Sequence, residues 1–306
     1  MATEPSKPMS EREFILREVW TYPVKSMTGH TVVSADLTEL GLAGDRHWAL
    51  RSLEIGGIRG AKKIGGIMLF AARETVPGRP GAGVEIVLPD GSVVSSDQID
   101  VNERLSAALG HRVELQQLPV NTDESLDHFR RGPATGDDPV RDLRDVFGRD
   151  DDEPLPDFSA FPPVIAEFES PPGTHHDCWP LMVMTTSAIR SLRDALPGSN
   201  TDIHRFRPSL VIDTGDTPGH PEFSWTGRHA RIGSGGSGPV IEFVGPCPRC
   251  VMPTREVRTG PGRDDILPAD RAILRHIVRD LQQNLGAYAR VVTPGAVREG
   301  DAVSFL

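Results

Sequence analysis

The residues with the most distinctive chemistry are the two cysteines of the tetrapeptide Cys247-Pro248-Arg249-Cys250. The 306-residue chain contains one other cysteine, Cys178. Three cysteines are too few for an ordinary iron–sulfur cluster, which takes four protein ligands. They are also too few for the disulfide scaffold of a chain this long. The sulfur chemistry of the protein is therefore concentrated in this tetrapeptide.

Three interpretations of the tetrapeptide are open from residue types alone. Half of a structural zinc site needs two further ligands, which only Cys178 and scattered histidines could supply. A redox pair of the thioredoxin type opens a helix, whereas Pro253 follows closely here and no helical period is visible. The third interpretation is a single thiolate that binds a soft or high-valent metal. Spacing alone does not choose among the three.

The composition limits the class of protein to which these residues belong. The apolar and charged fractions, 38% and 25%, are typical of a globular protein. A net charge of −10 argues against nucleic acid or an anionic membrane as a partner. No apolar stretch approaches the roughly 20 residues that span a bilayer. The first residues lack the basic and apolar regions of a signal peptide, so we expect a cytoplasmic protein with reduced thiols.

The first half of the chain is predicted to be mostly strand. Residues 17–24 and 31–37 fit short strands, and residues 84–94 fit a hairpin that turns at an Asp-Gly pair. Asn102 is placed to cap a short helix that ends at Gly110.

Residues 121–170 differ in composition from the rest of the chain, because Arg, Asp, Pro and Gly are abundant there. This composition is typical of a long connector with local structure rather than of a third core. A solvated loop is the simpler interpretation of the connector, and a functional lid is the alternative.

Regular structure is predicted to resume at Trp179. A helix from about Ser187 ends at Pro197-Gly198, and the clearest apolar period predicts a helix over residues 268–284 that Gly286 closes. Strands are predicted at residues 206–212, 240–244, 287–292 and 301–306. The pattern predicts two β-rich halves with a few helices.

Five segments occur in an order that resembles the MOSC family, named for the C-terminal domain of molybdenum cofactor sulfurase. They are residues 22–29, 41–48, 206–212, 247–250 and 294–301. The chain is similar from Val19 onward to bacterial MOSC proteins and to the mitochondrial amidoxime-reducing component. The resemblance implies a mixed β-rich α+β fold of two β-barrel-like halves with a few peripheral helices. It divides the chain into an N-terminal β-barrel-like domain (12–120), a connector (121–170) and a MOSC domain (171–306).

The resemblance also implies a site for the molybdenum cofactor, a pterin (molybdopterin) that carries a dithiolene and a phosphate. The second cysteine of the tetrapeptide, Cys250, falls on the position of the protein ligand of the metal. Asp177 falls on a carboxylate that faces the metal pocket, where it could move protons or orient the substrate. The residues implied to bind the cofactor are Lys25, Ser26, Arg46, Cys178, Trp179, Arg207, Ser209, Arg249 and Cys250.

The residue types agree with that cofactor. Lys25, Arg46 and Arg207 can form charge-assisted hydrogen bonds with a phosphate and with the edge of a pterin. The Ser26 hydroxyl can add a neutral donor, and a thiolate is a soft ligand for a metal in a sulfur-rich sphere.

Two departures from the family pattern concern the same site. Ser209 stands where relatives often carry Asn, and Cys178-Trp179 replaces Thr-Ser of the mitochondrial relatives. Trp179 would reshape the wall of the pocket, and Cys178 would bring a second sulfur close to the metal.

The resemblance implies a molybdenum-dependent oxidoreductase that reduces N-hydroxylated small molecules. With too few cysteines for a cluster and no Gly-x-Gly-x-x-Gly fingerprint, the chain would receive electrons from a separate reductase. Two alternatives remain: a sulfur-transfer or cofactor-carrier protein in which Cys250 bears a persulfide or the cofactor, and a module that binds a pterin or another anion without turnover.

Overall fold

The computed structural model describes residues 14–120, 123–133, 136–260 and 265–306. The strands are β1 Phe14–Thr21, β2 His30–Val32, β3 Ser34–Thr38, β4 Gly41–Leu42, β5 Trp48–Ser52, β6 Ile58–Arg59, β7 Ala71–Glu74, β8 Val84–Val87, β9 Val93–Ser95, β10 Val113–Gln117, β11 Leu181–Thr185, β12 Leu210–Asp213, β13 His229–Ile232, β14 Val240–Pro248, β15 Val257–Arg258, β16 Ile266–Leu267, β17 Asn284–Thr293, β18 Gly295–Arg298 and β19 Ala302–Phe305. The α-helices are α1 Val101–Leu109, α2 Leu126–Phe129, α3 Pro139–Phe147, α4 Thr186–Ala195 and α5 Arg271–Asp280. Short 3-10 turns lie between them.

Seven strands form a closed barrel. In the largest sheet the order is β12-β11-β17-β14-β13-β19-β1, and β1 also pairs with β12, so the sheet closes on itself. The β11–β12 pair is parallel, and the other pairs are antiparallel. Closure leaves no free edge in the ring.

Alternate residues of the barrel strands fill its interior. On β1, Phe14 and Leu16 point inward and are buried, whereas Ile15 is exposed. Aromatic residues lie in the interior, where the ring centroids of Trp225 and Phe243 are 4.9 Å apart. This core is contributed by both ends of the chain, because β1 comes from the first residues and β19 from the last.

A second core lies under the small sheets of the first half. The sheets β10-β5-β6 and β7-β8-β9 pack with α1 around Leu50, Ile86 and Leu105. Met252 and Val257 from the second half belong to the same cluster. The predicted β-rich α+β class is confirmed by the closed barrel, the small sheets and the five helices.

The predicted helices are present with changed ends. The helix ending at Gly110 forms as α1, but its N-cap position is Asp100, whose side chain makes no capping hydrogen bond. The Asn102 side chain instead accepts a hydrogen bond from the Leu115 amide. The prediction of one helix over residues 268–284 is wrong at both ends. α5 ends at Asp280, and Gly286 lies inside β17 rather than closing a helix.

The described part of the connector contains two α-helices. α2 and α3 both lie in it, and α3 has the full set of capping signals. The Asp138 carboxylate accepts the amides of Val140 and Arg141, Pro139 is the first helical residue, and Gly148 ends the helix with a left-handed φ of 62°. Among the described residues, none of the helices is long and apolar enough to cross a bilayer.

Candidate cofactor site

One cavity of about 600 Å³ lies outside the barrel core, between segments that flank the barrel strands and the first-half sheets. All ten residues that the sequence proposed for the site line it. They are Lys25, Ser26, Arg46, Asp177, Cys178, Trp179, Arg207, Ser209, Arg249 and Cys250. Residues separated by 225 positions in the chain thus share one cavity. Their individual roles remain predictions.

The lining of the cavity is strongly cationic. It includes nine lysines and arginines but three acidic residues, in a protein whose net charge is −10. The cationic residues are Lys25, Arg46, Arg59, Lys62, Lys63, Arg131, Arg205, Arg207 and Arg249. This concentration of positive charge favours an anionic ligand.

Lys25 and Lys62 hold the Asp177 carboxylate from two sides. The Lys25 ammonium donates to Asp177 Oδ1 at 2.5 Å, to the His175 carbonyl at 2.7 Å and to Ser170 at 3.2 Å. Lys62 Nζ lies 2.9 Å from Asp177 Oδ2. Burial alone would raise the pKa of Asp177, but the two ammonium groups hold it well below its usual value. The carboxylate is therefore ionised at neutral pH, with 39% of its side chain open to the cavity.

The pKa values of the two lysines shift in opposite directions because their charged partners differ. The pKa of Lys25 is lowered by burial, which Asp177 only partly offsets. Burial also disfavours the charged form of Lys62, yet Asp177 and the Cys250 sulfur together raise its pKa above the ordinary value. Lys62 therefore interacts electrostatically with both the Asp177 carboxylate and the Cys250 sulfur.

Arg46 and Arg207 meet at the ring of Tyr22. Their guanidinium carbons lie 5.2 and 4.2 Å from its centroid, within cation–π range. The Tyr22 hydroxyl donates to the Pro208 carbonyl at 2.9 Å, and the Tyr22 amide donates to Asp45 at 2.9 Å. Tyr22 thus fixes two cations that lie far apart in the sequence.

Arg207 carries a buried donor without a protein acceptor. Its Nη1 donates to the Met27 carbonyl, whereas its Nη2 is buried and has no hydrogen-bond partner within the described ranges. Burial and the nearby Arg46 charge lower the pKa of Arg207 to about 10. A buried unpaired guanidinium donor is costly, and an anionic group in the cavity would satisfy it. The residues present therefore fit a phosphate-bearing cofactor.

Three cavity residues have strained backbones. Ser26, Arg46 and Arg207 have φ values of 68°, 52° and 59°, in the left-handed region that non-glycine residues seldom occupy. Such strain costs about 1–3 kcal/mol per residue and clusters at functional sites. The strain at these three positions supports a role for the cavity in binding.

The Ser26 turn brings another segment to the site. The Ser26 hydroxyl accepts the Ala61 amide at 3.0 Å, and a Cβ on Gly60 would lie 2.7 Å from the same oxygen. A side chain on Gly60 would therefore force the Ser26 hydroxyl to move away from the Ala61 amide. The contact places Lys62 beside Asp177.

The three thiols line the same cavity in different environments. Cys247 and Cys178 are buried, and burial raises the pKa of both thiols. Cys250 is only half-buried and lies just beyond the end of β14. Cys250 is thus the thiol that is open to a ligand.

Arg249 has a mainly structural set of contacts. Its Nη2 donates to the Phe206 carbonyl at 2.7 Å, and its Nη1 lies 3.6 Å from Cys247 Sγ. Its Nε is buried and unpaired among the described residues. One donor therefore remains for a ligand. Ser209 pairs with Met182 through backbone and side chain, which fixes the start of β12.

The alternatives for the tetrapeptide are not supported by the donor groups. Among the described residues, no three His, Cys, Asp or Glu side chains are grouped to hold a metal ion, so a four-ligand zinc site lacks its donors. The segment after Cys250 is a short 3-10 turn, Met252–Thr254, rather than the helix of a thioredoxin-type pair. The single-thiolate interpretation stays a prediction.

His175 connects the cavity wall to the connector. Its Nδ1 lies 2.9 Å from the Arg46 carbonyl, which can only accept, so the proton is on Nδ1. Its Nε2 then accepts from His128 Nε2 of α2 at 2.8 Å. Burial, together with the Lys25 charge and His128, lowers the pKa of His175 to about 3. The ring is therefore neutral at physiological pH.

Two features of the site were missed from the sequence. Lys62 is one of only four lysines in a chain that otherwise uses arginine, and that choice was the available signal. The connector was interpreted most simply as a solvated loop, but several of its residues line the cavity. The cap residues Asp138, Pro139 and Gly148 were the signal for its longer helix.

Comparison with known proteins identifies the family. The model of the MOSC domain matches residues 172–304, and the model of the MOSC N-terminal beta barrel domain matches residues 13–122. Among curated proteins, none matches the chain.

Two solved structures that resemble this chain are distant from it in sequence. The YuaD protein from Bacillus subtilis is 9% identical, with 96% of each chain covered and a TM-score of 0.40. YiiM from Geobacillus stearothermophilus is also 9% identical, with 42% of this chain and 54% of that chain covered and a TM-score of 0.29. Both halves are nevertheless matched by models of the same family. The chain therefore belongs to the MOSC family, whose domains are associated with the binding of the molybdenum cofactor.

Proposed function

We propose that this protein is a molybdenum-cofactor oxidoreductase that reduces N-hydroxylated small molecules. The observation that carries the proposal is the cavity itself, which joins a half-buried thiol, an ionised carboxylate and nine cationic side chains. The family supplies the cofactor class, and the residues in the cavity fit it.

The cations would hold the anionic part of the cofactor. Arg207 offers a buried donor without a protein acceptor, and Lys25 and Arg46 lie on the same cavity. A charged hydrogen bond of this kind contributes about 1.5–3 kcal/mol. Cys250 would supply the one thiolate ligand of the metal.

When bound, the cofactor supplies the two-electron chemistry that separates oxygen from nitrogen. The overall reaction converts R–NH–OH, two electrons and two protons into R–NH₂ and water. Its electrons would come from a separate reductase, because three cysteines cannot hold an ordinary iron–sulfur cluster.

Asp177 would act as a hydrogen-bond acceptor rather than as a proton donor. Lys25 and Lys62 keep the pKa of its carboxyl well below the usual range, so the group carries no proton at neutral pH. An ionised carboxylate open to the cavity can orient an N–H or an amidinium of the substrate. Protons would then come through the neighbouring ammonium groups or water.

Turnover tests the proposal. The full-length chain, expressed in a host that makes the cofactor, is mixed with a reduced viologen dye and a hydroxamic acid. We expect substrate-dependent oxidation of the dye, with one amide formed for every two electrons consumed. Bound molybdenum without substrate-dependent oxidation would contradict the proposal and favour a cofactor carrier.

A further inference from the structure

The connector supplies an apolar wall to the cavity. In α3, Pro139, Leu143 and Val146 occupy positions i, i+4 and i+7, so one helix face meets the cavity. Further along, Phe158 and Phe161 also line it. These residues lie outside the stretches that the two family models match, which end at 122 and resume at 172. The wall is therefore a feature of this chain rather than of the matched domains.

The aromatic residues of this wall form a cluster of their own. The ring centroids of Phe147 and Phe158 lie 5.6 Å apart, as do those of Phe158 and Phe161. Phe158 is 40% exposed and Leu143 is 37% exposed, although both line a cavity. Among the described residues, the cluster belongs to none of the apolar cores. The cluster therefore presents partly exposed apolar side chains to the cavity.

The wall is held firmly beside the thiol. The Val251 amide, next to Cys250, donates to the Val146 carbonyl at 3.0 Å. Arg149 donates to the Arg249 carbonyl at 3.0 Å, on the other side of the same cysteine. Val146, a residue of the wall, is therefore hydrogen-bonded directly to the residue that follows Cys250.

A further clamp fixes the connector to α5. Arg275 forms an ion pair with Glu153 and donates to the Gly148 carbonyl at 2.8 Å. The wall is thus positioned by contacts at the C-terminal end of α3 and just beyond it.

From this juxtaposition we infer that the substrate carries an aromatic ring, which packs on Phe158, Phe161 and Leu143 while its N–O group faces Cys250 and Asp177. The inference rests on the proposed function and names its substrate class. The anionic part of a cofactor has its cations elsewhere in the lining, so the apolar wall is available to a different group. Stacked aromatic rings and burial of apolar surface give the ring its affinity.

The test compares two hydroxamic acids that differ only in the group attached to the hydroxamate, which is a phenyl ring in one and a methyl group in the other. Benzohydroxamic acid and acetohydroxamic acid are titrated into the full-length, cofactor-loaded protein without reductant, and the Kd of each is measured by calorimetry. KM values are then measured with the reduced dye. We expect the aryl compound to bind about tenfold or more tightly, because burying a ring yields at least that ratio.

Variants assign the preference to the wall. Phe158→Ala and Leu143→Ala should each raise Kd and KM for the aryl compound several-fold and leave those for the alkyl compound unchanged. Val140→Ala is the matched control, since Val140 is 53% exposed on the same helix but does not line the cavity. Val140→Ala should change neither the Kd nor the KM of either compound. Unfolding midpoints within about 2 °C of wild type exclude a folding effect.

The outcomes separate the inference from the proposed function. Equal affinity for the two compounds, or an equal loss for both in Phe158→Ala and Leu143→Ala, would overturn the inference even if both are reduced. Aryl preference without any dye oxidation would support the ring site and contradict the proposed activity.

Discussion

The residues around Asp177 show how burial and charge set protonation in the cavity. Asp177 is ionised because Lys25 and Lys62 pair with it, whereas His175 and His176 are held neutral by burial. Burial first, and then the cations Arg46 and Lys25, keep the pKa of His176 well below its usual value. The site therefore keeps its positive charge on lysine and arginine rather than on histidine.

The buried histidines predict a loss of stability in mild acid. The pKa of His175 is about 3 in the folded protein and about 6.5 in the unfolded chain. Between these values the unfolded chain binds one more proton, so the free energy of unfolding falls as the pH drops, by up to about 1.4 kcal/mol per pH unit. Urea unfolding at pH 7 and pH 5 should show a smaller pH dependence in His175→Gln than in wild type.

The control for this measurement removes no titratable group. Val140 is 53% exposed on α3, and Val140→Ala should leave the pH dependence at its wild-type value. The same dependence in wild type and in both variants would show that His175 is not the group that titrates.

Most of the candidate residues could be found from the sequence, but their geometry could not. The ordered motifs identified Lys25, Arg46, Arg207 and Cys250 because residue types and their order can be read directly from the sequence. The left-handed backbones of Arg46 and Arg207, and their contacts with Tyr22 and Met27, exist only in the folded protein. Lys62 was missed for the same reason.

Among the elements, α5 illustrates why an apolar period does not determine where a helix ends. Leu281 and Leu285 continue the helical spacing, but the chain turns at Gln282 and Gln283, which have φ values of 51° and 72°. The Arg249 amide donates to the Gln283 carbonyl at 2.9 Å. The end of α5 is thus set by a contact with the cysteine segment. Leu285 is buried, but it lies in β17 and not in the helix.

The end of α3 offers a matched pair of glycine variants. Gly148 and Gly110 follow α3 and α1 with φ values of 62° and 64°, so alanine strains both backbones by about 1 kcal/mol. A Cβ on Gly148 would also lie 2.7 Å from Leu274 and 3.2 Å from Val251, whereas a Cβ on Gly110 meets nothing within 4 Å. Gly148→Ala should therefore lower the free energy of unfolding by about 1–3 kcal/mol more than Gly110→Ala.

Denaturant unfolding of the two variants measures that difference. Equal losses would mean that α3 is not packed against the Cys250 segment. Gly148→Ala should in addition reduce the bound molybdenum, because Val251 is next to Cys250.

For the whole molecule, the barrel is not confined to one part of the chain. β1 pairs with β12 and β19, and β3 pairs with β18, so strands from the first forty residues complete sheets of the second half. Antiparallel pairs between distant segments are not visible in local patterns. The class of fold could be predicted, but this sharing of strands could not.

The sharing predicts that residues 171–306 do not fold alone. Without β1 the barrel has two open edges, and the apolar side chains of its core lose Phe14 and Leu16. Thermal unfolding followed by circular dichroism should show no cooperative transition for this fragment.

A permuted chain provides the control. Phe14 lies opposite Val303 in an antiparallel pair, so a short Gly-Ser linker can join the C-terminus to residues 14–22. This permutant should regain a cooperative transition. A sharp transition in the fragment without β1 would contradict the shared barrel.

Molybdenum content is the most direct test of the central claim, that Cys250 in this cavity binds the molybdenum cofactor. The metal is measured by elemental analysis in full-length wild type, Cys250→Ala and Cys247→Ala, all expressed in a host that makes the cofactor. We predict close to one molybdenum per wild-type chain, loss of the metal in Cys250→Ala with the fold retained, and most of the metal kept in Cys247→Ala, because Cys247 is buried. Zinc in place of molybdenum, or equal loss of metal in the two variants, would contradict the account.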